Sequence, residues 1–208
     1  MKKIILGSQS PRRKELLENV GLKFEIIAAE GEEVVDLSLS FSEIVTSLAE
    51  TKNEQVKNAK NCPDDAIVIT ADTMVVCENE IMGKPKNDED AKRMLRLLSG
   101  NIHSVLTGYC ICDKETGKKR SGAVESFVKF RPLSEDEIDK YVKTKEPMDK
   151  AGAYGIQLKA SMFVEEIHGD YFNIVGLPVE RICKLLKGIH QNPLLIIYIF
   201  SLREDPLY

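Results

Sequence analysis

What this chain lacks narrows its function before any motif is read. No stretch holds the roughly 20 consecutive apolar residues that a membrane-spanning helix needs, so no membrane partner is expected. The lysines at the N-terminus are followed only by Ile4-Ile5-Leu6. That run is too short for the apolar segment of a secretory signal. There is no excess of positive charge: 29 Lys and Arg stand against 33 Asp and Glu, for a formal net charge of -4. Stable nucleic-acid binding is therefore not expected, although a local basic cleft is compatible with that balance. Neither G-x-x-x-x-G-K-[ST] nor G-x-G-x-x-G occurs, which removes the Walker-type phosphate loop and the dinucleotide fingerprint. No internal repeat and no low-complexity tract is evident.

Cysteine is present but does not form a framework. Cys62, Cys77, Cys110, Cys112 and Cys183 are odd in number and match no zinc spacing. Cys110 and Cys112 alternate as strand residues on one face. Buried, reduced thiols and a cytoplasmic location are expected.

The 208 residues suffice for one domain or two small lobes with a real core. Apolar content of 43% and charged content of 30% are ordinary for a globular protein. The most telling segment is the start. Ile4-Ile5-Leu6 reads as a short buried strand, Gly7-Ser8-Gln9 as a turn, and Ser10-Pro11-Arg12-Arg13-Lys14-Glu15-Leu16-Leu17 as a helix. Ser10 is expected to cap it, with Pro11 at the first helical position. Two arginines beside the positive end of a helix dipole are unfavourable unless an anion is supplied. A plainer reading makes them a solvated first turn.

Further along, Phe24 to Ile27 reads as a strand and Gly31 to Asp36 as an acidic loop. Ser42 to Asn58 is an amphipathic helix with Ile44, Val45, Leu48 and Ala49 inward. Ala66 to Ala71 is an apolar run typical of a strand covered on both faces. Asp88 to Leu98 is a helix, ended at Ser99-Gly100. Ser104–Cys112 and Ala123–Phe130 form an antiparallel pair around Lys114–Lys118. Ser134-Glu135-Asp136-Glu137 is a capping box. Met162–Ile167 and Tyr171–Val175 are expected to make a hairpin around His168-Gly169-Asp170, and Pro178 opens a last helix to Leu186. The mixture defines an α/β protein: a mixed, twisted sheet flanked by helices around a central cleft. Residues 1–188 read as one domain of two lobes. Residues 189–208 form an atypical tail containing the apolar run Leu194 to Phe200.

Several residues could carry chemistry. Asp72, in Ala71-Asp72-Thr73, is expected at the C-terminal end of a buried strand. It is either a metal ligand or general base, or a cap or turn aspartate. Lys84 sits in the turn Met82-Gly83-Lys84-Pro85. Lys52 lies on the second helix, where it snorkels or meets an anion. The Gly- and Ala-rich stretch Glu146 to Gln157 either admits a flat ligand or is merely tight, and Gln157 offers both a donor and an acceptor. Cations (Arg12, Arg13, Lys52, Lys84), acids (Glu33, Asp72) and an amide are what a nucleoside triphosphate site requires.

In this order along residues 3 to 187, the motifs Ser8-Gln9-Ser10-Pro11-Arg12-Arg13-Lys14-Glu15-Leu16-Leu17, Ala71-Asp72-Thr73, Gly83-Lys84-Pro85, Leu97-Leu98-Ser99-Gly100, Asp149 to Gln157 and Val175-Gly176-Leu177-Pro178 resemble the Maf, or septum-formation inhibitor, family of nucleoside triphosphate pyrophosphatases. The resemblance implies a fold similar to the inosine-triphosphate pyrophosphatases and a homodimer. It also implies hydrolysis of a nucleoside triphosphate to the monophosphate and pyrophosphate with Mg²⁺ or Mn²⁺. It implies that Asp72 is the proton acceptor, that Ser8, Arg13, Lys52 and Lys84 contact phosphate, and that Glu33 and Asp72 hold metal. Arg12, Thr73 and Gln157 would govern base choice, with Ala-Asp-Thr pointing to dTTP and UTP. Such an activity keeps non-standard nucleotides out of nucleic acids. The same resemblance carries an alternative, a nucleotide-responsive regulator of septum formation acting through partner binding. Two departures stand out: Leu158-Lys159-Ala160 follows Gln157 where the family continues with glycine, and Ser126 stands where the family has threonine.

Overall fold

The alternation of short apolar strands with amphipathic helices builds a mixed α/β fold. A computed structural model of the protein describes residues 2–32 and 34–189. Glu33 and the tail from residue 190 onward lie outside the described residues. Strands β1 (Ile4–Leu6), β2 (Glu25–Ile26), β3 (Ile67–Cys77), β4 (Glu80–Met82), β5 (Ile102–Asp113), β6 (Lys119–Phe130) and β7 (Val164–His168) form one sheet in the order β2-β1-β3-β5-β6-β7, with β4 paired to β3. β1 runs parallel to both neighbours, in register Ile5↔Glu25 and Ile5↔Val68, whereas β4 and β7 pair antiparallel. The helices are α1 (Pro11–Asn19), α2 (Phe41–Lys57), α3 (Asp88–Leu98), α4 (Glu135–Lys143), α5 (Tyr171–Val175) and α6 (Val179–Ile189).

The described chain divides into two compact units. Among the described residues, the first comprises 2–32, 34–72, 108–123 and 176–189; the second comprises 73–107 and 124–175. In the first, Ile5, Ile27, Val56, Cys62, Ala66 and Val68 form one buried cluster. In the second, Phe130 packs edge-on against His103, Tyr154 and Phe163, and Phe163 against Tyr141. Lys92–Asp139 and Arg96–Glu135 ion pairs tie α3 to α4.

Three expectations need correction. The apolar strand does not stop at Ala71. β3 runs to Cys77 because Val75, Val76 and Cys77 are buried and pair with β4 through a two-residue turn, Glu78-Asn79, with φ of 49° and 64°. That is the backbone of a twist-compatible hairpin turn. Tyr171–Val175 is a helix rather than a strand. Asp170 Oδ1 accepts from Phe172 N–H at 2.8 Å and the Asp170 carbonyl accepts from Ile174 N–H at 3.3 Å, so an aspartate-capped turn overrides the local β preference. β7 pairs with β6 instead, Val128 opposite Ile167. Ser10 occupies the N-cap of α1, but its side chain makes no capping bond. The Ser8 hydroxyl accepts from Ser10 N–H at 3.2 Å instead. The capping box of α4 is present as read, and α2 starts with a second one, Ser40 with Glu43, which advances that helix to Phe41. The spacing Ser40-x-x-Glu43 already signalled it.

Candidate active site

In the first unit, strand β1 delivers the chain to Gly7-Ser8 and α1 returns it. Ser8 is buried, and its hydroxyl accepts from Ser10 N–H and, at 3.1 Å, from Arg13 Nη1. Arg13 Nε donates to the Gly176 carbonyl at 2.8 Å. The guanidinium is thus held at two points, which orients the planar fork that suits phosphate. Arg12, the next cation of this first turn, is half-buried. Both hydroxyl lone pairs of Ser8 are used, so its further capacity is its O–H donor. A phosphate oxygen needs that polarity.

Lys52 and Asp72 form an ion pair in a short contact, with side chains 15% and 16% exposed. The solvated reading of Lys52 is replaced by this pairing. Asp72 is not at a strand end, as expected, but within β3. It lies three residues past Ile69, where the parallel pairing with β1 ends at Leu6. This is the strand edge at which α/β proteins keep ligands.

Residues that sequence reading missed hold the pair. Asn53, fully buried beside Lys52 on α2, donates through Nδ2 to the Val68 carbonyl at 3.0 Å, to Thr70 Oγ1 at 3.3 Å and to the Cys110 carbonyl at 3.3 Å. Thr70 Oγ1 in turn donates to the Ala49 carbonyl at 2.6 Å. These bonds lock α2 to β3 and β5 and so fix the helix that presents Lys52. Gly108 matters for the same reason: a Cβ there would lie 2.0 Å from the Val45 carbonyl oxygen. Only glycine lets β5 approach the α2 backbone so closely. A lone glycine inside a strand pattern was the available signal.

In the second unit, Lys84 is exposed on the turn after β4, and the Gly83 carbonyl accepts from Gly152 N–H at 3.1 Å. The structure therefore joins two segments that the sequence presents separately. Gly152 has φ of +68°, and a Cβ there would meet Val75 Cγ1 at 2.9 Å. Lys150 is buried, with Nζ donating to the Glu146 carbonyl at 2.7 Å and Asp149 Oδ1 at 2.5 Å. Gln157 Oε1 is buried with no hydrogen-bond partner among the described residues.

Thr73 Oγ1 lies 3.0 Å from Thr107 Oγ1, and Thr107 Oγ1 donates to the Asn173 carbonyl at 2.9 Å. Asn173 Nδ2 donates to the Val105 carbonyl at 2.9 Å and Ser126 Oγ at 3.0 Å. Ser126 also accepts from Asp170 N–H at 3.0 Å. The serine at this departure from the family pattern therefore keeps a fully engaged hydroxyl.

Among the described residues no group of three or more His, Cys, Asp or Glu is placed to hold a metal. Asp72 does supply a carboxylate, and a hard cation such as Mg²⁺ needs only one or two of these when substrate phosphates and water complete its shell. The donor chemistry fits. The thiols take no part: burial pushes Cys110 up to about 12, and Cys62, Cys77 and Cys112 are raised by burial as well. None is an activated nucleophile. No helix among the described residues is long and apolar enough to cross a membrane.

Comparison with known proteins shows the family of the chain. The model of the Maf-like protein family matches residues 3–189. A dTTP/UTP pyrophosphatase of Alkaliphilus oremlandii is 49% identical over 188 residues, covering 90% of this chain and 96% of the relative. One of Bacillus cereus is 51% identical over 187 residues, covering 90% and 95%. The chain belongs to the Maf-like protein family. A solved HAM1 protein from Coxiella burnetii aligns over 90% of this chain and all of its own at 17% identity, with a TM-score of 0.46.

Proposed function

We propose that this protein hydrolyses nucleoside triphosphates to the monophosphate and pyrophosphate, with dTTP and UTP as substrates. The observation that carries the reading is the half-buried Lys52–Asp72 pair in the same unit as the Ser8–Arg13 clamp. A carboxylate kept near an ammonium, with anion-binding groups on the same unit, is what hydrolysis of a polyphosphate requires. Relatives about half identical are named for that activity.

Asp72 accepts the proton of the attacking water. Before substrate binds, Lys52 neutralises it. A polyphosphate offers Lys52 a competing anion, and the carboxylate is then released for proton transfer. Ser8 donates its O–H, and Arg13 its guanidinium, to phosphate oxygens, and Lys84 adds a further cation. Charge compensation of this kind supplies most of the acceleration in phosphoryl transfer. Mg²⁺ or Mn²⁺, held by Asp72 and Glu33, would neutralise phosphate charge when bound. Arg12, Thr73 and Gln157 select the base. We further place the protein in the cytoplasm as a homodimer, on the family resemblance.

The test is a nucleotide panel with Mg²⁺ or Mn²⁺ in which pyrophosphate and orthophosphate are measured separately. Pyrophosphate from dTTP and UTP is expected. Orthophosphate as the primary product, or an Asp72→Asn variant at the wild-type rate, overturns the reading. Saturable nucleotide binding without turnover would favour the regulatory alternative, which the relatives' names do not favour.

A further inference from the structure

Where β5 turns into β6 in the first unit, lysines are matched by carboxylates. Lys2 pairs with Asp113 and Glu115, Lys114 with Asp64, Lys119 with Glu50 and Lys57 with Glu54. Lys118, Arg120, Lys184 and Lys187 are in no ion pair among the described residues. They stand together. Lys118 Nζ donates to the Gly188 carbonyl at 3.1 Å, which sets the β5–β6 turn against the last turn of α6. Arg120 lies two positions further along the hairpin and is exposed, and Lys184 and Lys187 are exposed on α6. That helix separates its charges: Glu180 is in its first turn and Lys187 in its last.

The negative end of the α6 dipole accounts for Lys187 and for the Lys118 contact, but its reach fades within the last turn. It accounts for neither Lys184 nor Arg120. In a chain of formal net charge -4, unmatched cations gathered in one place repel one another until an anionic surface offsets them. A second feature lies close by in the sequence. Leu194 to Phe200, outside the described residues, is apolar and carries no charge. Such a run is too short to span a bilayer, and a surface contact needs no spanning helix. Cations beside an apolar segment are the two signals that together hold a protein on anionic lipid, where one alone binds marginally. A nucleic acid would satisfy the cations but offers no hydrocarbon.

We propose that the β5–β6 turn at Lys118 to Arg120 and the exposed face of α6 at Lys184 and Lys187 form a docking surface for an anionic phospholipid bilayer, with the apolar side chains of Leu194 to Phe200 entering the boundary of the hydrocarbon. The cations meet the lipid phosphates, and the apolar segment supplies the burial that charge alone lacks. This contact uses none of the residues assigned to hydrolysis, so it stands or falls separately from that activity.

The experiment is co-sedimentation of the full chain with vesicles of phosphatidylglycerol and phosphatidylcholine, with vesicles of phosphatidylcholine alone, and without vesicles. Anionic vesicles should carry the protein down, neutral ones should not, and high salt should release it. The double variants Lys184→Glu/Lys187→Glu and Ile196→Glu/Ile199→Glu should each lower the partition onto anionic vesicles about tenfold or more, because each removes one of the two signals. Folding is checked by circular dichroism, and Arg120→Glu takes the place of the lysine variant if that one does not fold. Equal binding to neutral vesicles, no binding to anionic ones, or undiminished binding by either folded double variant overturns the proposal. Sedimentation without vesicles also overturns it, by marking Leu194 to Phe200 as a self-association segment. Binding to double-stranded DNA as tight as to the anionic vesicles does so too, by assigning the cations to nucleic acid.

Discussion

Two fully buried asparagines make an instructive pair. Asn53 in the first unit and Asn173 in the second each use Nδ2 to bind a strand carbonyl and a hydroxyl, and each leaves Oδ1 without a partner among the described residues. Both fasten a helix to strands. What they support differs. Asn53 adjoins a charged pair, Lys52 and Asp72, where the useful quantity is field strength. Asn173 anchors neutral hydroxyls, Ser126 Oγ through its side chain and Thr107 Oγ1 through its main-chain carbonyl. The same buried amide thus stands behind a charged pair in one unit and a set of neutral hydroxyls in the other.

The sharpest break in that comparison is at the charged pair. Asp72→Asn keeps the size but removes the base and should lower turnover about a hundredfold or more, with modest change in nucleotide binding; steady-state kinetics with UTP checks this. Next, the two asparagines can be set against each other. Asn53→Ala and Asn173→Ala should each cost roughly 2 kcal/mol of stability, because buried polar partners lose their bonds. Chemical denaturation would read that loss. Their kinetic effects should separate. Asn53→Ala, beside the charged pair, should lower kcat for UTP several-fold, and Asn173→Ala should largely spare it. Identical kinetic profiles would mean that the amides are interchangeable struts.

Acid should distinguish the units as well. His103 is buried in the second unit, its Nε2 within 2.8 Å of the Tyr154 hydroxyl, and burial pushes the imidazole down to about 4 from an ordinary 6.5. The unfolded chain therefore takes up the proton first. The stability linked to this group is complete above about pH 6.5 and is lost as pH falls toward 4, by an amount of order 3 kcal/mol. Hydrogen exchange between pH 7 and 4.5 should show amides of β5 to β7 in the second unit losing protection, and a His103→Gln variant should flatten the dependence. The smallest effect belongs to the thiols: Cys110→Ala should leave kcat/KM within about twofold, since a buried thiol of high pKa contributes packing only.

Much of this was legible beforehand. The helix Asp88–Leu98 and the capping box at Ser134 were read correctly because periodicity and caps are local signals. The strand through Asp72 outruns the apolar segment Ala66 to Ala71, because the polar pair Asp72-Thr73 interrupts a pattern that burial of Val75 and Val76 then resumes. The residues of Tyr171–Val175 locally prefer a strand. Their helix depends on Asp170, and through it on Ser126, 44 positions away. The chemical types of the site were recognisable, but the pairing of Lys52 was not, nor were its supports Asn53, Thr70 and Gly108.

By itself the sequence determined the ingredients: an anion-ready turn at Ser8 to Arg13, the acid in Ala71-Asp72-Thr73, the lysines, and the order of most strands and helices. These follow from neighbouring residues, so a linear reading reaches them. The tertiary structure alone decided that Lys52 meets Asp72 across 20 positions, and that Thr107 gives its hydrogen to a carbonyl 66 positions further on. A side chain's charge or hydroxyl is written in its identity. Its partner, and the direction of its proton, exist only once distant strands and helices are packed together.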